Sequence, residues 1–111
     1  IFPGKRLTGI FQPHLYTRTR DFADDFAASL DMLDELILMD IYPARELPIP
    51  GVTSEIIFSK MELKKKQIVS KENLLETIDK MKPEILITFG AGDIDRFIEP
   101  ITRMLKKRYN V

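Results

Sequence analysis

The sequence predicts an α/β fold in which a parallel sheet is covered by helices. Short apolar runs alternate along the 111 residues with segments whose apolar residues recur at helical spacing. Strand and helix units in series favour parallel strands, because a parallel pair needs a long crossover connection. Two consecutive runs are almost uninterrupted by polar residues, as expected when both faces of a sheet are covered. We expect one compact domain, since this length supports a core of modest size.

Four apolar runs are the predicted strands, and a turn signal or a helical pattern follows each. They comprise residues 7–11, 35–41, 67–69 and 84–89. Pro13 and Pro43 close the first two strands, and Gly90-Ala91-Gly92 turns the chain after the fourth. The most favourable strand order is 3-2-1-4, which is half of a doubly wound sheet. The fold class is therefore a three-layer α/β/α, Rossmann-like parallel sheet with four strands in that order.

The helices are predicted from their apolar faces and their ends. Asp21 and two further aspartates lie near the amino end of the first helix, where the helix dipole favours acidic residues. Thr53 or Ser54 is expected to cap the second helix, and Ser70 the third. Pro100 is expected to split or kink the first turn of the fourth. The apolar faces comprise Phe22, Phe26, Leu30 and Leu33; Ile56, Ile57, Met61 and Leu63; Leu74, Leu75, Ile78 and Met81; and Phe97, Ile101, Met104 and Leu105.

Charge and composition weigh against several classes of function. The 17 basic and 17 acidic residues cancel, so no net field attracts nucleic acid or an anionic membrane. The chain has no cysteine and one histidine, which leaves no disulfide and disfavours a zinc site. No apolar run is long enough to span a bilayer, and no signal-peptide pattern is present. We expect a cytoplasmic protein and, because the chain opens on Ile1 rather than methionine, a fragment of a longer one.

The segment from Phe11 to Arg20 is the most polar connection of the chain and is predicted to bind an anion. In a parallel sheet, ligands bind where strand carboxyl ends and helix amino termini converge. Arg18 and Arg20 lie just before the predicted helix, where a guanidinium and free helix N–H groups together hold a carboxylate or phosphate. Alternatively these arginines pair with nearby aspartates, as we expect for Arg20. His14 either contacts the ligand or is a loop residue satisfied by a backbone carbonyl.

The turn after the fourth strand is expected to face this segment across the crevice between the first and fourth strands. Gly90 and Gly92 allow the backbone to approach a ligand or the neighbouring loop, and Asp93 is either a helix cap or a functional residue. The G-x-G spacing is only part of a dinucleotide fingerprint, since Asp95 stands where the third glycine belongs. Asp40 has the position of the phosphoacceptor of receiver domains, but the first strand lacks the acidic pair that such domains need.

Three motifs carry a family resemblance: FQPHLYTRTRDFADDF at 11–26, DIYPARELPIPGVTS at 40–54 and TFGAGDID at 88–95. Together, and in this order, they resemble the carboxyl-terminal domain of the Mur ligases, and the similarity covers nearly all of the chain. It is closest to the members that add L-alanine in peptidoglycan synthesis. The resemblance implies an ATP-dependent amide ligase that joins L-alanine to UDP-N-acetylmuramate through an acyl phosphate, with Mg²⁺ bridging the ATP phosphates.

The resemblance also implies roles for individual residues of the L-alanine pocket, though no catalytic residue and no metal ligand in this chain. Arg18 matches the position that holds the alanine carboxylate, and His14 the position that orients that end of the substrate. Leu15 stands where many members have arginine, so carboxylate binding is expected to rest more on Arg18. The supporting candidates are Arg20, Gly90, Gly92 and Asp93.

The residues that hold ATP in this family are absent from the sequence. No Walker-type G-x-x-x-x-G-K-[ST] loop occurs, so ATP, Mg²⁺ and UDP-N-acetylmuramate are expected to bind mainly to upstream domains, and residues 1–111 alone are expected to be inactive. With the opening strand and helix of the domain also upstream, strand 84–89 becomes an apolar edge through which we expect self-association. Two alternatives stay open: a related Mur ligase that recycles tripeptide, and a non-catalytic α/β module that binds an amino acid or phosphate.

Overall fold

The structure, a computed structural model, describes residues 5–90 and 93–109, with side chains in 5–90 and 97–106. Its sheet contains β1 (Leu7–Gln12), β2 (Glu35–Leu38), β3 (Lys66–Ile68) and β4 (Ile85–Gly90), all parallel, in the order β3-β2-β1-β4. The helices are α1 (Tyr16–Leu30), α2 (Glu55–Phe58), α3 (Leu74–Met81) and α4 (Asp93–Tyr109), and a 3-10 turn, Lys71–Asn73, precedes α3. The predicted fold class and strand order are confirmed.

Helices cover both faces of the sheet, which gives the three layers. The apolar run of β2 shows why its sequence does not alternate: Leu36 and Leu38 join one core, whereas Ile37 and Met39 join the other. On the side of α1 and α2 the core contains Phe11, Ala23, Ala27, Leu30, Leu33, Leu36, Leu38, Ile57 and Met61. On the side of α3 and α4 it contains Ile10, Ile37, Met39, Val69, Leu74, Ile78 and Ile101.

The direction of chain progression changes between β1 and β4. The chain moves from β1 outward to β2 and β3, and then crosses to the other side of β1, where β4 pairs with it from Leu7↔Ile85 to Gln12↔Gly90. This is a topological switch point, where open α/β sheets bind their ligands at the carboxyl ends of the strands. The beginning of the glycine turn therefore lies beside the end of β1, as the sequence predicts.

Helix α1 begins earlier than predicted, so Arg18 and Arg20 lie inside it rather than before it. Its buried face contains Thr19, Ala23, Ala27 and Leu30. Phe22, expected in the core, is 50% exposed and leaves helical geometry at φ −117°, ψ 20°. The prediction for Phe22 is wrong because the helix begins more than one turn upstream of its predicted start and bends at Phe22.

The predicted capping residues lie beside their helices, but not all of them cap: Ser70 precedes the 3-10 turn and makes no capping hydrogen bond, so that prediction is wrong. Pro100 lies inside α4, which continues through it to Tyr109, so the predicted split is wrong. A proline removes only one helical hydrogen bond, and packing of the apolar face holds the helix together. The Ser54 hydroxyl donates to the carbonyl of Met39 (2.6 Å) instead of capping α2, whereas Thr53 Oγ1 accepts from the N–H of Glu55 (3.2 Å).

The two edges of the sheet differ in length and polarity. β3 is three residues long, and Lys66 within it donates from Nζ to the carbonyl of Met61 (2.8 Å). β4 is six residues long, and among the described residues β1 is its only strand partner. Its apolar side chains are half-buried, and Phe89 is 38% exposed. Within residues 5–90 and 93–109, no helix has both the length and the apolar character needed to cross a membrane.

Candidate anion-binding site at the carboxyl edge of the sheet

Backbone hydrogen bonds join the loop after β1 to the loop after β2. The N–H of Tyr42 donates to the carbonyl of Pro13 (2.8 Å), and the N–H of Leu15 donates to the carbonyl of Tyr42 (2.9 Å). His14 and Tyr42 thus form a single parallel backbone pair beyond the ends of their strands. This pairing fixes where the His14 side chain leaves the backbone.

Leu15 turns the chain sharply from this pair into α1. Its φ is 72°, a left-handed value that strains a branched side chain by about 1–3 kcal/mol. Its N–H is held by Tyr42, and its carbonyl accepts both the N–H (3.1 Å) and the hydroxyl (2.8 Å) of Thr19. Because Thr19 is fully buried, the strained residue is fixed from both sides, and the entry into α1 is rigidly defined.

The imidazole of His14 is half-buried and packs on Tyr42. The two rings are nearly parallel, at 15°, with their centroids 5.9 Å apart. In the described part of the chain, no backbone carbonyl or side chain hydrogen-bonds the imidazole, so the alternative of a histidine satisfied by a carbonyl is not supported there. Ring packing sets the orientation of His14 and leaves its nitrogens available to a ligand.

Arg18 and Arg20 have different surroundings, although both lie near the start of α1. Arg20 donates from Nε to Oδ1 of Asp21 (2.9 Å), and this hydrogen bond raises the pKa of Arg20. The predicted pairing of Arg20 is confirmed. Arg18 is exposed, and no carboxylate of the described residues pairs with its guanidinium. Of these two arginines, Arg18 is therefore the one available to an external anion.

The amino terminus of α1 already holds an internal carboxylate, that of Glu46. Its Oε1 accepts the N–H of Thr17 (3.1 Å) and its Oε2 accepts the Thr17 hydroxyl (2.5 Å), and the latter bond is the main reason that the pKa of Glu46 is lowered. The expectation that the helix N–H groups are free for a ligand is therefore wrong for Thr17. The sequence does not reveal this role of Glu46, because the contact spans 29 residues and joins two separate loops.

Gly90 meets a steric requirement at the switch point. Its φ is +104°, and a Cβ at this position would overlap the backbone carbonyl of Gln12 in β1. The close approach predicted for this glycine is thus to the neighbouring strand. Gln12 is itself buried and donates from Nε2 to the carbonyl of Asp40 (3.2 Å). Gly92 lies outside the described residues, as does the side chain of Asp93, the residue at which α4 begins.

The described residues contain no group of three or more His, Cys, Asp or Glu side chains placed to hold a metal ion. What they do contain is a parallel sheet with a ring-packed histidine in the loop after β1 and an exposed arginine in the first turns of α1. These features define a Rossmann-like α/β domain whose carboxyl edge is suited to a small anion, as a carboxylate fits the planar fork of a guanidinium.

Comparison with curated proteins identifies relatives of this domain, although no family model matches the chain. It is 58% identical over 108 residues to UDP-N-acetylmuramate–L-alanine ligase from Parabacteroides distasonis, 53% identical over 109 residues to that from Cytophaga hutchinsonii, and 53% identical over 107 residues to that from Porphyromonas gingivalis. These alignments cover 96–98% of this chain and 23–24% of the relatives. Over the region that it shares with them, the chain belongs to the family of these ligases.

Proposed function

We propose that residues 1–111 form the carboxyl-terminal, amino-acid-binding domain of an ATP-dependent ligase that joins L-alanine to UDP-N-acetylmuramate in peptidoglycan synthesis. The similarity to ligases of that name, at up to 58% identity, supports the proposal. Because the chain spans about 23% of the length of the curated relatives it matches, the full activity requires a longer protein. We place that protein in the cytoplasm.

ATP and Mg²⁺ are expected to bind mainly outside residues 1–111. The sequence has no Walker-type loop, and the described side chains form no metal site. In this proposal, the rest of the protein binds ATP, Mg²⁺ and UDP-N-acetylmuramate and generates the activated carboxylate. The present domain contributes position: it brings the alanine amine to that carboxylate, and such alignment of two reactants accounts for much of the rate of a bimolecular step. By itself the 111-residue chain is expected to be inactive.

Arg18 is the residue that we assign to the alanine carboxylate. Two parallel N–H···O bonds from one guanidinium to a carboxylate provide both charge and direction. His14, oriented by the Tyr42 ring, is assigned to the same end of the substrate. The observation that carries the assignment is that Arg18 is exposed and has no carboxylate partner in the described chain, whereas Arg20 nearby is paired with Asp21. Arg20 is therefore at most an indirect contributor.

The test is Arg18→Ala in the full-length ligase. A hydrogen bond to a charged group contributes about 1.5–3 kcal/mol, so the KM for L-alanine should rise about tenfold or more. The KM for ATP should change little. Lys64→Ala is the matched control, because Lys64 is an exposed cation that precedes β3. It therefore lies near the amino ends of the strands, away from the carboxyl ends where Arg18 lies. An unchanged KM for L-alanine would remove Arg18 from the site. Preference for a tripeptide over L-alanine would instead identify the recycling ligase.

A further inference from the structure

Glu46 connects the two loops that form the candidate site. It belongs to the loop after β2, yet its carboxylate binds both the backbone and the hydroxyl of Thr17 in the first turn of α1. The preceding residues aim it back toward that helix: the N–H of Glu46 donates to the carbonyl of Pro43 (2.9 Å), and Ala44 between them has a φ of 53°. A tight turn therefore presents the carboxylate to α1.

The same loop holds the other side of the site through Tyr42. Its backbone pairs with Pro13 and Leu15, and its ring packs on His14. Residues 42–46 thus form a clamp with two attachment points: Tyr42 on the segment that carries His14, and Glu46 on the helical turn that carries Arg18. Among the described residues, Glu46 provides the side chain by which this loop is attached to the helical turn that carries Arg18.

The clamp also gives the Glu46 carboxylate a binding partner different from the one that we assign to the substrate carboxylate. Because Glu46 satisfies Thr17, the positive end of the helix dipole near Arg18 is already balanced by a carboxylate. Glu46 binds Thr17 and not Arg18, whose guanidinium has no carboxylate partner among the described residues. A substrate carboxylate therefore meets an arginine held on a fixed helical turn.

We propose that Glu46 is a positioning residue for L-alanine: by fixing residues 42–46 against the first turn of α1, it holds Arg18 and His14 in register for the substrate carboxylate. This inference rests on the proposed function. It assigns no contact between Glu46 and the substrate. Its effect passes through Thr17 to Arg18, and through the loop to Tyr42 and His14.

The experiment compares Glu46→Ala and Glu46→Gln in the full-length ligase. A displacement of the binding groups by a fraction of an ångström should raise the KM for L-alanine about tenfold in Glu46→Ala. Glu46→Gln retains an amide oxygen to accept from Thr17 and should restore the KM to within about threefold of the unmodified value. The kcat at saturating L-alanine and the KM for ATP should stay unchanged. Thr17→Val breaks the hydroxyl bond from the other side, and combining it with Glu46→Ala should add little further change.

Glu62→Ala is the matched control, because Glu62 is an exposed glutamate in the segment before β3, at the opposite edge of the sheet. An unchanged KM for L-alanine in folded Glu46→Ala would overturn the inference alone. A parallel rise in the KM values of all substrates would overturn it too, since it would indicate a general structural role. Failure of the unmodified ligase to use L-alanine would overturn the proposed function together with the inference.

Discussion

Arg6 precedes β1 and Arg18 follows the same strand, so the two arginines lie at opposite edges of the sheet. Arg6 is bound within the fold: its Nη2 donates to the carbonyls of Met81 (2.9 Å) and Lys82 (2.6 Å), and its guanidinium forms an ion pair with Glu35. Arg18 has no such partner among the described residues. An arginine near a strand end is therefore not by itself a sign of a ligand, because the fold itself can use its hydrogen-bonding capacity.

Carboxylates at the amino edge follow the same pattern as Arg6. Asp34 accepts the N–H of Leu7 (2.7 Å), and Asp31 accepts the N–H groups of Glu62 (3.0 Å) and Leu63 (2.9 Å). A cleft of about 520 Å³ opens near the amino ends of the strands, and Arg6 and Asp34 in its lining are hydrogen-bonded to other residues of the fold, whereas the side chains of its lysines make no such bond among the described residues. The difference between the two regions therefore lies in their arginines: Arg6 is bound within the fold, whereas Arg18 has no carboxylate partner among the described residues.

The largest effect that tests this contrast is expected from Arg6→Ala. It removes the donors to two carbonyls at the end of α3 and leaves Glu35 half-buried without its cation. Hydrogen bonds from a charged group contribute about 1.5–3 kcal/mol each, so we expect a loss of about 3 kcal/mol in the free energy of unfolding, measured with urea. Arg18→Ala should change it by less than about 0.5 kcal/mol, as an exposed substitution does. Equal losses would erase the distinction between the two edges.

A smaller effect is expected at the glycine of the switch point. Gly90→Ala and Gly51→Ala both place a Cβ at a positive φ, but only at Gly90 does that Cβ meet backbone, the carbonyl of Gln12. We expect about 1 kcal/mol of destabilisation for Gly51→Ala and at least twice as much for Gly90→Ala. Thermal unfolding of the pair measures the difference. Similar melting temperatures would mean that β1 and β4 can separate locally without cost.

Acid should weaken the fold through the carboxylates that bind backbone N–H groups. The N–H bonds of Leu63 and then Glu62 lower the pKa of Asp31, and Thr17 lowers that of Glu46. When folding lowers the pKa of a carboxyl group, its ionised form stabilises the folded state. This stabilisation is complete above the ordinary carboxyl pKa and is lost as the pH falls through the pKa of the folded state. Asp31→Asn should therefore flatten the acid limb of a stability-against-pH curve. If the free energy of unfolding fell equally steeply with acid in the unmodified chain and in Asp31→Asn, Asp31 would not contribute to the acid sensitivity.

The smallest effect concerns the two lateral edges. β4 is long and apolar, β3 is short and carries Lys66, and the chain has no net charge to oppose association. We propose that the 111-residue chain self-associates weakly through β4. Sedimentation should show a mass that rises with concentration, and Phe89→Lys should reduce the rise while Gln67→Lys on β3 leaves it unchanged. A monomer at every concentration would contradict the proposal.

The fold could be predicted because a local apolar run marks each strand. The unbroken apolar run from Leu36 to Met39 also indicates that both faces of its strand are buried, as the structure shows. The start of α1 was not, because no apolar stripe marks residues 16–21. Buried Thr19 fixes that turn through a local hydrogen bond to the carbonyl of Leu15, and the distant Glu46 fixes it through a tertiary hydrogen bond.

The candidate site was predictable in part. His14 and Arg18 stand out because a packed core has no use for them, and the unusual polarity of their loop is local. Glu46 and the left-handed Leu15 are not visible locally, since each depends on a contact between the loops after β1 and β2. The sequence thus indicates the groups that we propose for ligand binding, but not the contacts that hold them in place.

The most direct test of the account compares L-alanine with L-alaninamide, which lacks the carboxylate, as substrates of the full-length ligase and its Arg18→Ala variant. If Arg18 binds the carboxylate, the unmodified enzyme should prefer L-alanine in kcat/KM, and Arg18→Ala should reduce that preference about tenfold or more. The loss should come from L-alanine, with L-alaninamide almost unaffected. An equal loss for both substrates, or an unchanged preference, would contradict the central claim that the fold leaves Arg18 free for the substrate carboxylate.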